Sequence, residues 1–136
     1  MFNREIFKCS KGQALVEMAI VLTLLLLLVF GVTEFGRLLY QKNNLTNAAR
    51  EGARKAAVTK PWDEPAVKNH VISVSAVSLA TNNVNVETIP ATSPTNPQAN
   101  YGVKVSVSTK FTSVVPNILP MFENYSIRAT ATMRYE

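Results

Sequence analysis

Hydrophobic residues follow three different patterns along the chain. From Ala14 to Val32 they form a block in which Met18 to Thr33 carry no charged side chain and Leu24 to Leu28 are unbroken. Together with the residues around Phe35, the block supplies about the twenty residues that a helix needs to cross a hydrocarbon layer. A core helix in a small domain keeps a polar stripe, whereas this one is apolar all round, so the pattern predicts a transmembrane segment at about 14–36.

The second pattern runs from Arg37 to Val58, where helix formers dominate and no proline occurs before Pro61. The spacing predicts one helix over 13–58, about 70 Å long at 1.5 Å per residue, with its outer half, 37–58, projecting beyond the bilayer. Glu51 and Lys55 are placed for an i,i+4 pair. Ala49, Ala53 and Ala57 recur every fourth residue beside a row of Ala48, Gly52 and Ala56. Small side chains let another backbone come close. The partner is expected to be the protein's own sheet or second helix, and a self-association surface on another face is also compatible with the pattern.

The third pattern is strict alternation. Val103, Val105 and Val107 point one way and Lys104, Ser106, Ser108 and Lys110 the other, which predicts a half-buried strand over Tyr101 to Phe111. Tyr125 to Glu136 repeats the pattern, with Tyr125, Ile127, Ala129, Ala131, Met133 and Tyr135 on one face. Asn83 to Ile89 is a shorter candidate. Pro90 to Asn100 has the composition of an exposed loop, and Pro116 and Pro120 bracket a second loop or helical turn. Asp63 to Leu79 is expected to be a second helix, with Asp63 as N-cap, Pro65 in the first turn and Val67, Val71, Val74 and Ser78 on one side. Its β-branched content also suits a strand over 66–79. A three-stranded antiparallel sheet with one wet face must cover its apolar face, and the outer half of the long helix is the available cover. The expected fold class is therefore α+β: a long N-terminal transmembrane helix running into a small domain with a second helix and the sheet.

Length sharpens the domain count. Of the 136 residues, roughly 100 lie outside the apolar block, which is enough for one small domain and no more. The net charge of +5 is spread along the chain without a dense basic patch interleaved with aromatics, so no nucleic-acid partner is expected. Arg4, Lys8 and Lys11 oppose only Glu5 ahead of the apolar block, and a basic flank stays on the cytoplasmic side. The remainder, 59–136, is then extracytoplasmic. Cys9 precedes the block, so an exported domain would hold by packing without a disulfide.

Chemistry for catalysis is sparse, and no enzyme, metal or cofactor is expected. His70 is the sole histidine and lacks the partners that zinc needs, Asp63 and Glu64 suit a helix start, and Trp62 beside Pro61 reads as a buried linker aromatic. Glu34 falls where the outer interface should be, and a surface role suffices for it. Glu17 needs more explanation, because a carboxylate one turn into an apolar span costs roughly 2.5–3.5 kcal/mol on insertion scales. A cut after Gly12 would create an α-amino group at Gln13, one helical turn from Glu17.

Lys11-Gly12-Gln13-Ala14-Leu15-Val16-Glu17, directly before an apolar helix, resembles the processing site of type IV pilin-like proteins. Within that class the chain resembles the TadE-like family, through Glu34-Phe35-Gly36-Arg37, Ala48-Ala49-Arg50-Glu51-Gly52-Ala53-Arg54 and the ending Met133-Arg134-Tyr135-Glu136. The resemblance implies a cytoplasmic leader over 1–12, cleavage between Gly12 and Gln13 by prepilin peptidase, and a role for Glu17 in neutralising a neighbouring subunit's amino terminus during assembly. It also implies a minor pilin or pseudopilin of a tight-adherence secretion and pilus system, held in the bacterial inner membrane. Its partners would be other pilin-like subunits, the membrane platform and membrane lipid. Met18 follows the acid where major subunits usually carry tyrosine, which with the extended β-region points away from a major pilin. The alternatives are an uncleaved anchored binding domain and a secreted adhesin, the latter cut near Val29-Phe30-Gly31.

Overall fold

The computed structural model describes residues 10–89, 101–114 and 125–135. The first nine residues of the expected leader, the expected loop from Pro90 to Asn100 and the expected loop or helical turn around Pro116 and Pro120 lie outside the described residues. The architecture is the α+β arrangement predicted from the sequence. Helix α1 spans Ser10–Val58 and α2 Glu64–Val74; a 3-10 turn at Thr81–Asn83 leads into β1 (Val84–Ile89), followed by β2 (Gly102–Lys110) and β3 (Ser126–Arg134). The strands form an antiparallel meander in the order β1-β2-β3.

Helix α1 is unbroken because nothing in it interrupts the i→i−4 ladder; its threonines fold back on the backbone, as when Thr23 Oγ1 donates to the Ala19 carbonyl at 2.8 Å. The helix starts at Ser10, three residues before the expected start, so Gly12 and Gln13 lie in its first turns. At the start of α2, Asp63 accepts from the Ala66 amide at 3.0 Å and Pro65 occupies the first turn. The ambiguous stretch 66–79 resolves as helix only as far as Val74. Ser75 then turns to an extended backbone, and its hydroxyl both donates to the Val77 carbonyl at 2.9 Å and accepts the Val77 amide at 3.2 Å. A serine that satisfies the chain two residues ahead removes the incentive to continue the helix. As a result Val74 is exposed, while Leu79 still reaches the core from irregular backbone.

Register fixes which faces are buried. Val105 lies opposite Val86 and Ala131, and Val107 opposite Val84 and Ala129, so the apolar members of all three strands share one face. That face packs on α1 and α2 through Leu45, Ala48, Ala49, Ala53, Ala56, Val67 and Val71. Tyr125 and Met133, expected on the same face, stand near the two ends of the edge strand β3 and remain 51% and 38% exposed. The other face is polar, with Lys104 paired to Glu87 at 3.2 Å and Ser106 within 3.3 Å of Thr130.

Candidate functional site: one helix with three tasks

The residues that carry chemistry lie along α1, and their surroundings divide it into three stretches. The lowest runs from Gly12 to Thr33, and its most apolar window has a mean hydropathy of 2.8 and no part buried by the rest of the fold. Leu15, Met18, Leu24 and Leu28 are between 62% and 72% exposed. A face this apolar is stable only against lipid or other apolar helices. Gln13 and Glu17 are both exposed and four residues apart, so they sit one above the other on a single helical face. Glu17 makes no hydrogen bond or ion pair among the described residues, and its carboxylate is open to a group from outside the chain.

The uppermost stretch is the small-residue face. Ala49, Ala53 and Ala56 are fully buried, Ala48 is 1% exposed, and all belong to the core beneath the sheet. Gly52 marks the closest approach: a Cβ there would overlap Val71 Cγ2 of α2 and lie 3.2 Å from Val105 Cγ1 of β2. These residues therefore have their partners within the chain. Gly52→Val is expected to cost about 1–3 kcal/mol by overpacking this crossing. Gly36→Ala, at a position with nothing within 4 Å of the added methyl, serves as the mild control. Chemical unfolding of the full chain in detergent measures both. Beside this face Glu51 pairs with Arg54 rather than with Lys55: Arg54 Nε and Nη2 both lie 3.1 Å from Glu51 Oε2. The guanidinium fork makes two contacts where an ammonium would make one.

Between these stretches is a site that the sequence expectation misjudged. Glu34 does not face solvent; it is 2% exposed. Its carboxylate accepts the Val114 amide at 2.7 Å and lies 3.2–3.3 Å from Arg37 Nη1. Arg37 also donates to the Thr112 carbonyl at 3.5 Å, and its guanidinium stands 5.6 Å from the centre of the Phe111 ring. Glu34 and Arg37, three apart on the helix, thus clasp the four residues that follow β2. The pattern carried a signal for this: 34, 38, 41, 45, 48, 52 and 56 form one continuous helical stripe whose upper members are the buried small residues. The burying face of α1 therefore extends down to Glu34. One turn above the clasp, Gln41 Oε1 is buried without a donor among the described residues.

Further up, the Lys42 ammonium donates to the Arg128 carbonyl, and at the top Tyr135 donates to the Thr59 carbonyl at 2.9 Å. Trp62, half-buried, meets the Tyr135 ring edge-on at 6.0 Å. From Lys42 to Thr59 is about 26 Å of helix, and from Arg128 to Tyr135 about 23 Å of strand, so β3 climbs alongside α1. The loop end of β2 and the start of β3 are therefore the end of the sheet nearest the apolar stretch. His70 lies half-buried on α2, and no group of three or more metal-ligating side chains occurs among the described residues.

Residues 12–54 match the family model described as TadE-like protein. The match lies wholly on α1 and takes in Gly12, Gln13, Glu17, the Glu34–Arg37 clasp and the lower part of the small-residue face, up to Arg54. No curated protein and no solved structure matches the chain.

Proposed function

We propose, taking residues 12–54 as a TadE-like segment, that the chain is a pilus-associated membrane protein of the tight-adherence type, acting as a minor pilin or pseudopilin in assembly and adhesion. The observation that carries this reading is the coincidence of the family match with a single 49-residue helix whose lower part is bare and apolar and whose upper part is the spine of a small α+β domain. A helix of this kind does two jobs at once. Its lower half can move from lipid to the apolar core of a filament without exposing new surface to water, and its upper half carries the domain with it.

On this reading prepilin peptidase removes the leader after Gly12, and Gln13 becomes the new amino terminus. An ammonium near Glu17 offsets the penalty of a carboxylate in an apolar layer, and the exposed Glu17 is free to take that ammonium from a neighbouring subunit. The protein has no catalytic task. Its partners are the peptidase, other pilin-like subunits, the inner-membrane platform and membrane lipid, and its domain lies on the extracytoplasmic side.

Shearing pili from cells and probing the sheared fraction for this chain tests the reading. The parent chain is expected in that fraction or bound to the membrane platform. Glu17→Gln, which removes the charge and keeps the shape, is expected to lower its presence there about tenfold or more, in line with loss of a charge-assisted contact worth roughly 1.5–3 kcal/mol. Equal recovery of parent and variant would count against a role for Glu17 in assembly.

A further inference from the structure

The loop end of the sheet has an exposed surface that the core does not use. Val114 is 68% exposed and Tyr125 51% exposed, and they flank the clasp at Glu34 from two different strands' ends, with the Phe111 amide donating to the Tyr125 carbonyl at 2.8 Å between them. On α1 at the same height Phe35 is 54% exposed, continuing the apolar surface of Val32 and Leu28 upward. Lys110 ends β2 opposite Ser126, and Arg128 follows one step higher; both are exposed. Among the described residues of this end the one acid is Glu34, which is buried and paired with Arg37.

Height along α1 says what this rim faces. Glu34 lies twenty residues beyond Ala14, about 30 Å along the helix, which matches the hydrocarbon thickness of a bilayer. With the apolar block in the bilayer, the hydrogen bond from the Val114 amide to Glu34 holds Val114 at the outer hydrocarbon boundary. A tyrosine, a valine and a phenylalanine bordered by cations suit a phospholipid interface, where the tyrosine ring sits at headgroup level and the cations meet phosphate.

We propose that this rim is a second membrane contact: Val114 and Tyr125 enter the outer interfacial layer of the bilayer that α1 crosses, and Lys110 and Arg128 lie against lipid phosphates. The inference rests on α1 spanning the membrane. The domain is then seated on the lipid surface, held there by the Glu34–Arg37 clasp as well as by the helix, and leaving the membrane for a filament requires this contact to break.

Depth-dependent quenching tests it on the full chain. Single-cysteine chains on a Cys9→Ser background, carrying Val114→Cys, Tyr125→Cys, Thr132→Cys or Leu25→Cys, are labelled with an environment-sensitive fluorophore. They are then reconstituted in vesicles of phosphatidylethanolamine and phosphatidylglycerol. Lipids spin-labelled near the headgroup are expected to quench the labels at positions 114 and 125 at least about twofold more than the label at position 132, which lies near the far end of β3. Deeply spin-labelled lipids are expected to quench the label at position 25. No deep quenching at position 25 would overturn the spanning premise. Deep quenching there, with positions 114 and 125 no more quenched than 132, would overturn the rim contact alone. A blue shift at 114 and 125 without lipid quenching would assign the rim to a neighbouring protein copy and likewise overturn the proposal.

Discussion

Replacing Val105 with aspartate is expected to unfold the domain while leaving the apolar stretch of α1 intact. Val105 is fully buried at the centre of the middle strand, opposite Val86 and Ala131, and its methyl groups are the sheet's nearest approach to Gly52 on α1. The substitution removes apolar burial and places a carboxylate among the apolar side chains that surround Val105, a combination that costs at least about 4–5 kcal/mol. A domain of this size has a total stability of roughly 5–15 kcal/mol, so the loss approaches the whole of it. Limited proteolysis of the full chain in detergent is the measurement. The parent β-region is expected to resist digestion, whereas Val105→Asp is expected to be cut throughout it, with the apolar stretch of α1 still protected. Ser106→Asp, one residue along on the wet face, is expected to stay within about 0.5 kcal/mol of the parent. Similar resistance in Val105→Asp and Ser106→Asp would contradict the register that puts the odd-numbered valines inside.

The second large effect is expected at Glu34. Truncation to alanine leaves the Val114 amide without its acceptor and Arg37 without its counter-charge. Losing a part-buried hydrogen bond to a charged acceptor costs about 1.5–3 kcal/mol. The ion pair adds little to that, because the Arg37 side chain is 38% exposed and water screens it. A total of about 2–3 kcal/mol is therefore expected for Glu34→Ala. Glu34→Gln keeps an oxygen for the Val114 amide and should lose about half as much. Hydrogen exchange at Val114 separates this account from a general loosening. Protection of that amide should fall sharply in Glu34→Ala and partly in Glu34→Gln, with the amides of β2 near Val105 changing much less. Unchanged protection at Val114 in Glu34→Ala would show that the carboxylate does not hold the chain after β2.

These two positions also show what the sequence could and could not disclose. The strand at 102–110 was legible because alternation has one structural solution, and Val103, Val105 and Val107 sit inside as the period of two requires. The long helix was legible because nothing between Gln13 and Val58 can break it. One ambiguity and one departure have local causes. Helix α2 stops at Val74 through a side-chain-to-backbone contact at Ser75, which composition does not reveal. Glu51 prefers Arg54 to Lys55 because of the shape of a guanidinium, which spacing alone does not weigh.

Glu34 was misjudged for a different reason. Hydropathy places it at the end of an apolar run, where an acid at the edge of a bilayer is expected to meet water. Its burial comes from the β2 end folding back over the helix, a contact eighty residues distant in sequence. The stripe from 34 through 56 pointed the right way, but a charged residue at its lower end reads as the stripe's boundary unless its partner is known. The small-residue face posed the converse problem. Ala49, Gly52, Ala53 and Ala56 were open to a partner inside or outside the chain, and only the positions of Val71 and Val105 decide for the inside. Glu17 stays outward-facing in the folded chain, and no partner for it occurs among the described residues.

The central claim is that α1 is a pilin-type helix whose amino terminus is created by cleavage in front of Glu17. The mass and N-terminal sequence of the chain recovered from the membranes of the cells that make it test this directly. A chain beginning at Gln13 is the expected result. One still beginning at Met1, or one that starts beyond Phe30 and has lost Glu17, would contradict the account.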